Sequence, residues 1–322
     1  MRIEIATTND KFHPYYIFHG YLWKPEGEVK AIIHIVHGMT EHMGRYNEFA
    51  EAMNAHGIAV AGYDLRGHGR NDNDYPAATF ISGKDKDFGW KTAVQDIRLQ
   101  IYQVAHMLPN VKYYLMGFSL GSFLVRDLMR DLPPLVEDVF LVGTGFQSSA
   151  VLSLMNFITK VEAKRTPAGT MSDLTKSLAF DTYNKQLSRI NTPMDWLCSD
   201  AQQIKNYMHD TLTNKEIAAD LFHEMIAAMK RTCAPGAYKK VQNKPHVVLL
   251  SGTEDPVGGC IGVEKCKQYL AKEGFDVQSA CFRGARHDIF HEFETGAAYM
   301  FQQTIAEYIN ANLNAQTENP AH

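Results

Sequence analysis

Long apolar runs are missing from this 322-residue sequence. Nowhere do eighteen apolar residues follow one another, which excludes a membrane-spanning helix, and the opening Met1-Arg2-Ile3-Glu4 carries no apolar signal core. A dense Lys/Arg cluster is missing too. With 32 basic and 36 acidic residues and a formal net charge of −4, nucleic acid is not an expected partner. Cysteine is sparse. The five residues Cys198, Cys233, Cys260, Cys266 and Cys281 are odd in number and form no Cys-x-x-Cys pair, so most read as small core thiols in a reducing compartment. A soluble cytoplasmic protein is the resulting expectation. No His-Glu-x-x-His run is present, so His37 and His42 are not read as zinc ligands and no metal is expected. Repeats and low-complexity segments are lacking, apart from a polar tail, Asn314 to His322, expected to fray.

Present instead is enough apolar material, 45% of residues, for a large core. The first thirty residues alternate loosely and predict edge strands closed by Lys24-Pro25-Glu26-Gly27. Ala31 to Val36, interrupted only by His34, and Ile58 to Tyr63 are short, nearly continuous apolar runs, as in strands buried on both faces. A helix is expected between them, near Tyr46 to Ala55. Val94, Ile97, Ile101, Val104 and Leu108 keep helical spacing. Strands are then predicted at Val111 to Met116, Val136 to Val142, His246 to Leu250 and Val277 to Phe282. Helices follow the first of these to about Leu132, lie between the last two, and end the chain around Phe301, Ile305 and Ile309. This alternation predicts an α/β fold, a mostly parallel central sheet covered by helices on both faces. Residues 147–233 break the rhythm with helical stretches and no convincing strand. They are read as a helical cap inserted into a core made of residues 1–146 and 234–322, lying over the carboxyl ends of the strands where such sheets bind ligands. Its run Val151, Leu152, Leu154, Met155, Phe157 and Ile158 fits either cap core or the wall of an acyl tunnel.

Between the strand ending near Met116 and the next helix stands Gly117-Phe118-Ser119-Leu120-Gly121. Strand, sharp turn and helix are the context in which Gly-x-Ser-x-Gly presents a nucleophilic hydroxyl. A serine needs a base within hydrogen-bond reach, usually a histidine oriented by a carboxylate, and here the chain order should be Ser, Asp or Glu, His. His287 follows the Val277 to Phe282 strand by a short loop and is the expected base, with His291 an ordinary polar residue of the segment after it. Asp255, just beyond the His246 to Leu250 strand and held extended by Pro256, is the expected acid, with Glu254 the alternative. Asp64 precedes Ser119; with Arg66 it reads as part of a structural loop satisfying backbone groups. The oxyanion requires N–H donors. The backbone of Leu120, at the positive start of its helix, is one. Met39, in the loop His37-Gly38-Met39-Thr40-Glu41-His42, is the other.

On these residues the chain resembles the α/β-hydrolase family of monoacylglycerol lipases and lysophospholipases. The likeness lies in HGMTEHMGRY (His37 to Tyr46), DLRGHGR (Asp64 to Arg70), GFSLG (Gly117 to Gly121), TPMDWLCSD (Thr192 to Asp200), GTEDPVG (Gly252 to Gly258) and GARHDIFHE (Gly284 to Glu292). Carried over residue by residue, it implies Ser119 as nucleophile, Asp255 as acid, His287 as base, Met39 and Leu120 as oxyanion donors, and no cofactor. It also implies a capped cleft for single-chain lipid esters, met in solution or by transient contact with a membrane surface. Phe118 stands where the family often has His, Ser122 where a second Gly is common, and Asn71 where Ser is frequent.

The expected reaction is therefore carboxylic ester hydrolysis through an acyl-serine. A small-molecule carboxylesterase or thioesterase is an alternative. An aminopeptidase-type peptidase would need an acidic anchor for the substrate amine in the cap, for which Asp173, Asp181 and Asp200 are the candidates. A silent ligand receptor would not need the Ser, Asp, His order.

Overall fold

The computed structural model describes residues 1–9, 13–71, 75–81, 89–178, 183–187, 190–213 and 215–318. Eight strands form one sheet: β1 (Arg2–Asn9), β2 (His13–Trp23), β3 (Ala31–Val36), β4 (Ile58–Tyr63), β5 (Lys112–Phe118), β6 (Val136–Val142), β7 (His246–Gly252) and β8 (Val277–Phe282). Their order is β1-β2-β4-β3-β5-β6-β7-β8. β1 pairs antiparallel with β2 and β2 antiparallel with β4, and the five remaining pairs are parallel. Nine α-helices accompany them among the described residues, beside short 3-10 turns: α1 (Asn47–Asn54), α2 (Trp90–Met107), α3 (Leu120–Leu128), α4 (Ser149–Arg165), α5 (Asp173–Lys176), α6 (Ala201–His209), α7 (Ala219–Thr232), α8 (Gly259–Lys272) and α9 (Ala297–Glu318). None of them is long and apolar enough to cross a membrane. The mostly parallel sheet with helices on both of its faces is the expected α/β architecture.

The apolar runs are continuous because both faces of the sheet are covered. Along β3 the side chains alternate. Ile32 and Val36 join a core with α2, α3 and α7, whereas Ala31, Ile33 and Ile35 join a second core with α1 and α9. His34, the one polar residue of that strand, is buried and bonds the Tyr113 hydroxyl at 2.7 Å. Burial pushes its pKa down to about 3, so it is a neutral core residue.

The loop after β4 is structural. Asp64 accepts from the Met43 and Arg70 amides at 2.7 and 2.8 Å, and Asn71 bonds the Asp64 carbonyl and the His19 amide. Arg66 ties the loop to a helix through a side-chain pair. Its Nε and Nη2 donate to Asp96 of α2 at 3.0 and 2.7 Å, with both residues buried. Asp96→Ala removes the carboxylate from a buried guanidinium and should lower unfolding free energy by about 3–5 kcal/mol in urea titration. A loss below 1 kcal/mol would show that this pair is not holding the loop to α2.

The cysteines divide, and two further expectations change. Cys198, Cys233 and Cys266 are buried free thiols, as expected of most of the five. Cys260 and Cys281 are joined in a disulfide between the start of α8 and the edge strand β8, because the turn into α8 brings their Cα atoms to 6.0 Å. Residues Asn314 to Glu318 of the polar tail continue α9 instead of fraying, and 319–322 lie outside the described residues. Finally, Val151, Leu154, Phe157 and Ile158 face solvent, and of their run only Leu152 is fully buried. Neither cap core nor tunnel wall describes those four side chains. Leu152 and Met155 pack inward, and the rest of the run turns outward.

Candidate active site

β5 runs straight into α3, and the residue at the junction takes the strain. Ser119 has φ 50° and ψ −116°, a region that side chains rarely occupy and that costs on the order of 1–3 kcal/mol. Its amide donates to Val142 O at 2.9 Å, and its carbonyl accepts from the Ser122 amide at 2.9 Å and the Ser122 hydroxyl at 2.6 Å. The hydroxyl at position 122, unusual for the likeness drawn above, thus braces the turn. The flanking glycines are dictated by close approach. A Cβ on Gly121 would lie 2.0 Å from Val36 O, and one on Gly117 would lie 2.6 Å from Gly121 O.

Ser119, His287 and Asp255 come together at the carboxyl ends of β5, β7 and β8. His287 Nε2 is 2.8 Å from Ser119 Oγ and its Nδ1 is 2.9 Å from Asp255 Oδ1. With Nδ1–H donating to the carboxylate, Nε2 is left to accept the serine proton, a tautomer assigned from this network. Asp255 takes two more bonds, from the Val257 amide to Oδ1 and the Ser251 hydroxyl to Oδ2, each at 2.8 Å. Burial alone would raise this carboxyl. His287 and the two other donors outweigh burial and hold it below the usual carboxylate range, so it stays charged. Glu254, the alternative acid, is exposed and its amide pairs with Ala285 O.

Met39 lines the cavity in front of Ser119, and Leu120 opens α3. Among the described residues, neither backbone amide is engaged by a hydrogen bond, so both donors remain open to an incoming oxygen. His37 and His42 are occupied elsewhere. The His37 ring bonds Gly38 O and the Leu65 amide, and the His42 ring bonds Asp210 and the Gly44 amide.

The cavity measures about 50 Å³, room for a few waters. Its lining includes the apolar Phe123, Phe222, Met225 and Val257 and the polar Thr40, Glu41, Arg45 and Tyr207. Among the described residues, Glu41 is the one acid that lines this cavity. It is committed to the Gly38 amide, the Tyr46 hydroxyl and Arg45. Of the three proposed amine anchors, Asp200 caps α6 through the Gln202 and Gln203 amides and Asp173 lies in the first turn of α5. Asp181 is outside the described residues.

Sequence reasoning missed two features. His291 belongs to a buried network, with Nδ1 at 2.9 Å from Asp288 and Nε2 at 3.0 Å from Arg45 O, while Arg45 also pairs with Asp288 at 2.7 Å. Burial would raise the Asp288 carboxyl, but His291 and Arg45 drive it far below its ordinary range. The Glu41 and Arg45 spacing of four residues was its only visible trace. The second feature is a pair of aromatic rings on His287. Phe118 and Trp196 lie with ring centroids 5.1 and 5.3 Å from the imidazole.

Comparison with known proteins places these features in a family. A family model described as serine aminopeptidase, S33, matches residues 27–294. A monoglyceride lipase homolog of Monkeypox virus is 25% identical over 280 residues, covering 86% of this chain and 88% of that protein. The monoglyceride lipase of Mus musculus is 32% identical over 128 residues, which span 40% of this chain and 39% of the mouse protein. Among solved structures, a thermostable carboxyl esterase from Bacillus coagulans superposes with a TM-score of 0.83 at 20% identity, covering 97% of this chain and 99% of that one.

Proposed function

The chain belongs to the serine aminopeptidase S33 family of α/β-hydrolases, and within it we propose a serine hydrolase that cleaves single-chain lipid esters, monoacylglycerols or lysophospholipids. The observation that carries this reading is the continuous relay from Asp255 through His287 to Ser119, at 2.9 and 2.8 Å. His287 takes the proton as Ser119 attacks the ester carbonyl, and the Met39 and Leu120 amides hold the oxyanion. His287 then protonates the departing alcohol, and water repeats the sequence to release the acid. Asp255 keeps the imidazole in the working tautomer and offsets its charge.

The lipid part of the proposal draws on the names of the viral and mouse relatives and on the mixed lining of the cavity. Phe123, Phe222 and Met225 suit an acyl chain, and Thr40, Arg45 and Tyr207 suit a hydroxylated leaving group. Residues 147–233 act as a cap over a core of residues 1–146 and 234–322, supplying Tyr183, Trp196, Leu197, Tyr207, Phe222 and Met225 to the cavity. An acyl chain needs far more room than about 50 Å³, so the cap must open to admit it. The exposed Val151, Leu154, Phe157 and Ile158 on α4 provide a face for transient contact with a lipid surface.

A panel of monoacylglycerols, lysophospholipids, short aryl esters and aminoacyl arylamides, each with and without vesicles, tests the assignment. The highest kcat/KM should fall on single-chain lipid esters. Turnover confined to aminoacyl arylamides would support the peptidase reading, which the commitment of Glu41 to Arg45 and Tyr46 disfavours.

A further inference from the structure

The segment Asp195-Trp196-Leu197-Cys198-Ser199 lies far from His287 in sequence, yet much of the bonding of the histidine loop is directed at it. Asp288 donates its amide to Leu197 O at 2.6 Å, and the His287 amide points to Trp196 O at 3.5 Å. Arg286 Nη1 donates to both Asp195 O, at 2.7 Å, and Cys198 O, at 3.1 Å. Glu292, at the far end of the loop, accepts from the Ser199 amide and hydroxyl and from the Arg286 amide, and Cys198 Sγ donates to His291 O at 3.2 Å. The segment is itself folded by a buried carboxylate. Asp195 accepts from the Asn191 and Thr192 amides and from the Thr192 hydroxyl.

The opposite side of the loop is held by the turn after β7, but only at its beginning. Gly284 donates to Thr253 Oγ1 and Ala285 O accepts from the Glu254 amide, both at 2.9 Å. From Arg286 to His291 the main-chain amides pair, among the described residues, with the 195–199 segment and within the loop. A buried backbone group takes whatever partner fixes it, so the position of the His287 main chain is set by this strap as much as by β8.

The ring is held as well. The Trp196 indole lies against the imidazole, 5.3 Å between centroids at an interplanar angle of 35°, and Phe118 lies 5.1 Å away at 36°. Trp196 is anchored in turn by its amide on Asn184 Oδ1 at 2.9 Å and by Tyr183, 4.9 Å from it. Both rings are within the distance at which an aromatic face attracts a cation. They therefore meet the positive charge that forms on His287 when it holds the serine proton.

We propose that the Asp195–Ser199 strap positions the catalytic histidine, through its own Trp196 and through Arg286 of the histidine loop. Trp196 sets the imidazole plane and faces its charged form; Arg286 locks the loop to the strap. This assignment rests on the reading of Ser119 and His287 given above. It makes the cap segment part of the proton relay as well as a wall of the cavity.

The test uses the full chain and two readouts that do not depend on a long acyl chain: kcat and KM on p-nitrophenyl acetate, and the rate at which diethyl p-nitrophenyl phosphate modifies Ser119. Arg286 is not among the cavity-lining residues, which separates positioning from substrate contact. Trp196→Leu and Arg286→Met should each lower kcat and the modification rate by about 10–100-fold, the scale of a small misplacement of a reacting group. KM should change less than about threefold, and Trp196→Phe should stay within about threefold of wild type, because it keeps an aromatic face. The downfield proton resonance of the His287–Asp255 hydrogen bond should broaden in the two impaired variants and persist in Trp196→Phe. If Arg286→Met fails to fold, the Trp196 pair decides the matter. Wild-type kcat and modification rate in Trp196→Leu, or an equal fall in Trp196→Phe, would overturn the proposal. Ser119→Ala serves as the control for the underlying reading: modification of that variant would sink the serine assignment whatever the strap variants do.

Discussion

Replacing Ser119 by alanine is expected to lower kcat/KM on every ester by at least about 10³-fold, and toward ~10⁶ where the triad acts as a unit. The fold should survive. Alanine lacks only the hydroxyl, and the turn is held through the backbone of residue 119 and through Ser122, not through Oγ. The measurement is steady-state hydrolysis beside thermal unfolding, with a fluorophosphonate probe as an active-site count. Wild-type unfolding with no turnover and no labelling is the expected result. Because φ at this position is 50°, removing the hydroxyl relieves none of the backbone strain. Any residual rate therefore comes from binding and from the two open amides. Near-wild-type turnover would reject Ser119 as the nucleophile.

Asp255→Asn carries the second large effect. The side chain keeps its size, so packing should hold, but the amide can present an N–H where Nδ1–H of His287 now donates. The imidazole then adopts the other tautomer or turns away, and Nε2 ceases to accept the serine proton. A fall in kcat of about 10⁴-fold is expected at neutral pH. Stability should respond to pH in a definite direction. The folded carboxyl lies below its ordinary range, so its ionised form contributes stability that is fully present above about pH 4. That contribution is lost as pH falls through the folded value. Wild type should therefore lose more stability than Asp255→Asn when unfolding is compared at pH 5 and at pH 3. Parallel profiles would mean that the Asp255 charge is not coupled to folding. Undiminished kcat would return the acid to another residue, with Glu254 the first to examine.

How much could be read beforehand follows the range of the interactions involved. The strands β3 to β7 were legible because burial on both faces writes a continuous apolar run into adjacent residues. Likewise Gly117, Ser119 and Gly121 were legible because a strand-to-helix turn confines its chemistry to five positions. The Cys260–Cys281 bridge was not legible. Spacing of 21 residues carries no information about whether a helix start and an edge strand bring two Cα atoms to 6.0 Å. The outward face of α4 was hidden for a related reason. Helical period tells which residues share a side, and only the neighbours tell which side is covered.

The same distinction divides the site. Motif context and the order of elements were enough to propose Ser119, Asp255 and His287, which follow β5, β7 and β8. The lack of a long apolar run was enough to expect no membrane-spanning helix, and none of the described helices is long and apolar enough to be one. What surrounds His287 was decided by tertiary structure: Phe118 and Trp196 on its ring, the strap on its backbone, and Arg45, Asp288 and His291 in a buried cluster beside it. Those contacts join residues separated by up to 246 positions, and no local pattern encodes a pairing that exists only once the sheet has closed around it.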